Sequence, residues 1–224
     1  MQRKDPFITG EFYHIFNRGV DKRIIFKSEA DFKRFVMLLY VSNSNEESFR
    51  LDNLINQQHK TLQEILTLDK GEILVSIGAW CAMQNHFHLL VRQEVNGGIT
   101  KFMKKLGTAY AMYFNIKYQR QGALFGGPFK SKLIDANDIY LKHLFAYINL
   151  NPLNVKFPDW EKKIKNSSSG MKSFLGKYQY SSYLDLLGEQ RIQSRVLSIK
   201  DFPSYFEDTN SFREFINNYL LVKS

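Results

Sequence analysis

Cysteine is all but missing from this chain: Cys81 is the only one among 224 residues. An internal disulfide is excluded, and the usage suits a reducing, cytoplasmic setting. Long apolar runs are missing too. No stretch reaches the roughly 20 residues that a bilayer span needs. Residues 1–7 are charged and lack the apolar centre of a signal peptide. No basic helix shows the one-sided Trp/Phe face of a membrane-surface binder, so a membrane is not an expected partner. Internal repeats, coiled-coil heptads and long low-complexity tracts are absent. Acidic charge is in deficit: 22 Asp and Glu against 31 Lys and Arg leave a formal charge of +9. That sign favours polyanions, nucleic acid first. What the chain does have is apolar residues, 44% of the total, enough for one large domain or a domain with an appended piece.

Residues 11–16 alternate and are rich in aromatics, which predicts a strand ended by Asn17-Arg18-Gly19. Ser28 is a fitting N-cap for a helix over 29–40, where Phe32, Phe35, Val36 and Leu39 keep helical spacing. Residues 51–68 read as one or two short inserted helices. Residues 73–82 and 86–92 predict a hairpin turning at Met83-Gln84-Asn85. The clearest helix follows, with Ile99, Phe102, Met103, Leu106, Tyr110 and Phe114 on one stripe. Residues 118–132 combine glycines, basic residues and aromatics, a mixture suited to phosphates and unstacked bases. Residues 130–134 predict a short strand. Asp135 to Asp138 supply N-cap chemistry for a helix over 139–150 that stops at Asn151-Pro152. Beyond Pro152 the pattern loosens: a linker or loop over 160–173, then amphipathic pieces at 178–187 and 212–221.

Two features carry chemistry. His86 and His88 flank Phe87 in a strand, so both imidazoles leave one face and can converge on one ion. The alternative is a pair of hydrogen-bonded histidines. Cys81 beside them reads as a small buried hydrophobe or a soft ligand. On the helix 139–150, His143, Tyr147 and Asn151 are spaced by four and form a row beside the apolar stripe.

Taken in order, the motifs Tyr13-His14-Ile15-Phe16-Asn17-Arg18-Gly19, Asn85-His86-Phe87-His88, the Lys-rich helix, Gly122 to Ser131 and Ala146-Tyr147-Ile148-Asn149-Leu150-Asn151-Pro152 resemble one family. It is the HUH-class single-strand tyrosine transposases, and most of all the REP-associated branch. The resemblance covers roughly residues 11–152, with a weaker echo at 178–187. It implies an α+β, ferredoxin-like antiparallel sheet with helices on one face, a helical insertion and a C-terminal helical extension. The expected organisation is a core over 1–155 interrupted at 43–70, then an extension over 156–224.

The same resemblance makes Tyr147 the nucleophile and His86, His88 and Asn151 ligands of a divalent metal, Mg²⁺ or Mn²⁺. Ligand hardness alone would favour Zn²⁺ or Mn²⁺ for two imidazoles and an amide. The implied partner is single-stranded DNA with hairpin or palindromic elements, and the implied state is a monomer or homodimer. Arg18, Lys101, Lys104, Lys105, Arg120, Lys130 and Lys132 are the candidates for DNA phosphate contacts. Two rival readings are a non-catalytic nucleic-acid-binding protein on the same fold and a zinc-dependent hydrolase of small substrates. The net charge and the tyrosine row count against the second.

Overall fold

A computed structural model describes residues 6–135, 139–158, 160, 168–206 and 208–222. Four strands form one antiparallel sheet: β1 Phe12–Arg18, β2 Val75–Met83, β3 His86–Gln93 and β4 Lys130–Ile134, in the order β2-β3-β1-β4. The central pair is therefore β3 and β1. The α+β class and the antiparallel sheet are as expected, and β2 and β3 form the anticipated hairpin, with Met83 opposite His86.

Side-chain alternation divides the sheet into two faces. Tyr13, Ile15, Ile77, Trp80, Phe87 and Leu89 lie in one apolar cluster; Phe12, Ala79, Cys81, Met83 and Leu90 lie in the other. The register of β2 slips between Ile77 and Ala79, so Gly78 is an extra residue that exchanges the two faces of the strand. A Cβ on Gly78 would stand 2.7 Å from the ring of Phe202, which explains why glycine occupies the bulge.

Helices α1 Glu29–Val41 and α3 Gly98–Lys117 cover the first face. The chain then forms a short π-type turn at Asn53–Gln57 and α2 Leu62–Thr67, as two inserted helical pieces. Leu51, Leu54, Ile65 and Leu66 bury in the same cluster as α1 and α3, so the insertion enlarges that core. The start of α1 is tied to the end of α3 through Asp31. Its carboxylate accepts from the Ser28 amide at 2.9 Å, from the Tyr113 and Tyr118 hydroxyls at 2.9 and 2.8 Å, and from Lys117 Nζ at 2.6 Å.

Helix α4 Ile139–Leu150 lies on the opposite face. The expectation of helices on one face thus holds for α1 and α3 and fails for α4. The physical reason is that β2 is buried at all nine positions and β3 is nearly so, and a sheet with two apolar faces needs two covers. Of the cap expected at 135–138, residues 136–138 lie outside the described residues, as do 161–167 of the expected linker.

The chain continues through α5 Leu153–Lys156, α6 Ser168–Leu175, α7 Tyr183–Leu186 and α8 Thr209–Val222. Met171, Leu175, Tyr183, Phe212 and Ile216 pack in the cluster of Leu141, Leu144 and Ile148 of α4. Residues 180–182 run along the outer edge of β2: Ala82 N donates to the Tyr180 carbonyl and Ser182 N to the Trp80 carbonyl, each at 2.9 Å. Ser182 Oγ accepts from Trp80 N at 3.0 Å and donates to Asn149 Oδ1 at 2.8 Å. Helix α4 is thus fixed to the sheet edge through a buried hydroxyl. Ser182→Ala leaves Asn149 Oδ1 without that donor and is expected to destabilise the fold by about 1–3 kcal/mol. Urea denaturation reads this directly; an unchanged midpoint would mean that the bond contributes nothing net. Among the described residues no helix is long and apolar enough to cross a membrane.

Candidate active site

The strand register assembles the site. Arg18 stands opposite His86 and Phe16 opposite His88 on the central pair, with His14 one alternate position further along β1. All project from the face that α4 covers. That helix presents Tyr147, and Asn151 one turn later, over the histidines. His86 Nε2 lies 3.3 Å from Asn151 Oδ1, although the two residues are 65 apart in sequence. The Tyr147 ring meets His88 and His14 edge-on, at centroid distances of 5.5 and 5.8 Å. The rings of His86 and His88 are 5.1 Å apart. Tyr147 is 38% exposed while His88 and Asn151 are buried and His86 is half-buried, so the phenol is the more open side of the group.

Hydrogen bonds decide which nitrogens are available. Asn85 Nδ2 donates to the Lys22 carbonyl at 3.2 Å, which turns its Oδ1 toward His86 Nδ1 at 2.6 Å. His86 therefore carries its proton on Nδ1 and leaves a lone pair on Nε2. That lone pair faces the carbonyl oxygen of Asn151, also an acceptor. With Nδ1 protonated, Nε2 and Oδ1 both present lone pairs, and their 3.3 Å separation suits two ligand atoms each about 2.1 Å from one ion. The donor set thus fits a divalent metal. Among the described residues no three His, Cys, Asp or Glu side chains form a metal-holding group.

Burial lowers the pKa of all three histidines. His14 falls to about 4, through burial first and the charge of Lys132 second. His88 falls well below 6.5, through burial and then His86 and His14. His86 is lowered by burial, partly opposed by the Asn151 amide oxygen, which favours a protonated ring, with Arg18 lowering it further. All are neutral near pH 7, the state that ligates metals.

A prediction follows for stability. Below pH 6.5 the unfolded chain takes up protons that the folded site refuses until about pH 4. The stabilisation is therefore fully present above pH 6.5 and is lost as pH falls toward 4, at about 1.4 kcal/mol per pH unit for His14 alone. His86 and His88 contribute with the same sign. Urea midpoints measured from pH 7 to 4.5 should fall steeply, and less steeply in His14→Phe; identical slopes would contradict the assignment.

A cavity of about 520 Å³ opens beside the histidines, lined among others by Phe16, Arg18, Lys22, His86, His88 and Lys130. Its outer wall is the glycine-rich loop. Val20 N donates to the Leu124 carbonyl at 3.0 Å, Gly126 N to the Arg18 carbonyl at 2.9 Å, and Asn17 Nδ2 to the Gly127 carbonyl at 3.2 Å. Gly19 turns the chain there; a Cβ on it would collide with the Arg23 carbonyl oxygen.

The sequence candidates separate into groups. Tyr147, His86, His88 and Asn151 come together, with Arg18 and Lys130 on the cavity wall. Lys132 pairs across from His14, and its Nζ stands 4.1 Å over the ring of Tyr140. Arg120 is at the end of α3, bonded to Asn115 Oδ1 at 2.9 Å. Lys101, Lys104 and Lys105 ride on α3, beyond the other face of the sheet. Lys101 Nζ holds Asn45 Oδ1 at 2.6 Å and Lys105 Nζ the Ser44 carbonyl at 2.7 Å. His143 packs on Phe215 and Tyr219 of α8, away from the pair on β3. Sequence reasoning gave no role to His14, Asn85 or Lys22. A polar residue at the same-face position of an otherwise apolar strand was the available signal for His14.

Residues 44–151 match a family model described as "Transposase IS200 like". That segment, a little under half of the chain, is similar to the IS200-like transposases. The matched segment runs from the loop after α1 to Asn151, so it includes β2, β3, β4 and the helix of Tyr147 and leaves β1 outside. No curated protein matches the chain. Among solved structures, that of a REP-associated tyrosine transposase bound to a REP hairpin aligns over 92% of this chain and 99% of its own, at 10% identity and a TM-score of 0.47. The matched segment supplies both histidines, the tyrosine and the amide, while β1 adds Arg18 and His14 to the same face.

Proposed function

We propose that this protein is an IS200-like transposase that cleaves and rejoins single-stranded DNA at palindromic hairpin elements through a covalent 5′-phosphotyrosine at Tyr147. The observation that carries the reading is the convergence of a phenol and an amide oxygen on two neutral imidazoles, which themselves line a cavity whose wall bears Arg18 and Lys130. Tyr147 Oη bonds to a backbone phosphorus as the bond from that phosphorus to the 3′-oxygen breaks. The phenolic proton leaves the nucleophile, and the departing oxygen takes up a proton to become a free 3′-hydroxyl. A phenolate is also a good leaving group, so an incoming 3′-hydroxyl reverses the step and no nucleotide cofactor is consumed.

His86, His88 and Asn151 would hold a divalent cation, Mg²⁺ or Mn²⁺. When bound, such an ion neutralises charge developing on the phosphate oxygens. Arg18 and Lys130 attract and position the backbone without reading sequence. The partial exposure of Tyr147 gives a strand access, while His88 and Asn151 beside it are buried.

The test is a panel of labelled single-stranded oligonucleotides, with and without hairpins, incubated with Mg²⁺, Mn²⁺ or Zn²⁺. A denaturant-resistant adduct and a free 3′-hydroxyl product support the reading. Salt-sensitive binding with no breakage under any metal would instead mean a non-catalytic nucleic-acid-binding protein.

A further inference from the structure

The sheet places one more imidazole against the candidate ligands. His14 and His88 are diagonal neighbours on one face, because Phe16 stands opposite His88 and His14 opposite Leu90. Their rings stack at a centroid distance of 5.1 Å, and His14 Nε2 lies 2.9 Å from His88 Nδ1. Both residues are buried. One nitrogen must donate and the other accept.

The two arrangements have opposite consequences. If His14 donated, His88 would accept at Nδ1 and carry its own proton on Nε2, where it blocks ligation. If His88 donates, its Nε2 keeps a lone pair. Only the second arrangement matches His86, whose Nδ1 proton is held by Asn85 Oδ1 and whose Nε2 faces Asn151.

We propose that His14 is a positioning residue that accepts the Nδ1 proton of His88 and so fixes the tautomer and ring orientation in which His88 Nε2 binds the metal. The inference rests on the metal site proposed above. It gives each histidine of the pair its own orienting partner, Asn85 for His86 and His14 for His88, the arrangement that commonly supports metal-bound imidazoles. It also gives β1 a part in the site, although β1 lies outside the segment that the family model matches.

The test compares the full-length wild type with His14→Phe and His14→Gln. Phenylalanine keeps a ring in the stack but cannot accept. The glutamine carbonyl can. Two-bond proton–nitrogen NMR correlations on the metal-free protein assign the His88 tautomer, and electron paramagnetic resonance of free Mn²⁺ gives affinity.

The expected result is Nδ1-protonated His88 in the wild type and a shift toward the Nε2-protonated form in His14→Phe. Mn²⁺ affinity should fall 10- to 100-fold in His14→Phe and recover in His14→Gln. An Nε2-protonated His88 in the wild type overturns the inference. So does unchanged Mn²⁺ affinity in a His14→Phe protein whose circular dichroism is native. Failure of the wild type to bind Mn²⁺ overturns the metal site itself, and the inference with it.

Discussion

Tyr147→Phe is expected to abolish the covalent DNA adduct and strand cleavage, a loss beyond 10³-fold, while DNA affinity stays within about twofold. The Tyr147 ring lies 5.5 Å from that of His88, which puts its hydroxyl within reach of a strand held at the imidazoles. The substitution keeps the ring, so the edge-on contacts with His14 and His88 survive. A partly exposed hydroxyl contributes little to folding, and stability should move by no more than about 0.5 kcal/mol. A denaturing gel of labelled oligonucleotide reads the adduct, and fluorescence anisotropy reads binding. Adduct formation at wild-type level in the variant would remove Tyr147 from the mechanism.

The second large effect belongs to the imidazole pair. His86→Ala combined with His88→Ala should eliminate stoichiometric Mn²⁺ binding and metal-dependent cleavage together, because it leaves Asn151 as the lone remaining candidate ligand. Folding should be weakened as well. Losing His88 leaves a buried nitrogen of His14 unsatisfied, at a cost of about 1–3 kcal/mol. Circular dichroism and thermal melting separate that effect from the chemical one. DNA binding should persist, because Arg18 and Lys130 remain on the cavity wall. Asn151→Ala should be milder, a 10- to 100-fold loss, since it removes one neutral ligand and keeps both imidazoles. Undiminished metal-dependent cleavage in the double variant would reject this metal site.

Much of this arrangement was legible in the residues. Alternation across His86-Phe87-His88 fixed two imidazoles on one face, and spacing by four put Tyr147 and Asn151 on one edge of α4. Period and spacing are local properties, and a chain states them openly. The elements that escaped prediction depend on distant partners. Gly78 gives no sign, within its own strand, that Phe202 fills the space beside it and that β2 changes faces there. His14 acquires its relation to His88 only once β1 and β3 pair.

The lysines of α3 show the converse. Lys101, Lys104 and Lys105 looked like a DNA-contacting group on charge alone. In the fold they lie beyond the opposite face of the sheet, and Lys101 and Lys105 brace the loop after α1. Composition records how much charge a chain has, and only topology tells which side carries it. The same holds for the second helical cover: β2 reads as a strand either way, but its burial at every position demanded α4 on the far face.

The central claim is that the phenol of Tyr147 takes the DNA phosphate while the β3 imidazoles stand beside it. Proteolysis of the adduct formed with a hairpin-bearing single strand, followed by tandem mass spectrometry, tests it most directly. The account predicts a nucleotide phosphate on the peptide that contains residues 143–151, with fragmentation placing it on Tyr147. A phosphate mapped to any other residue would contradict the account.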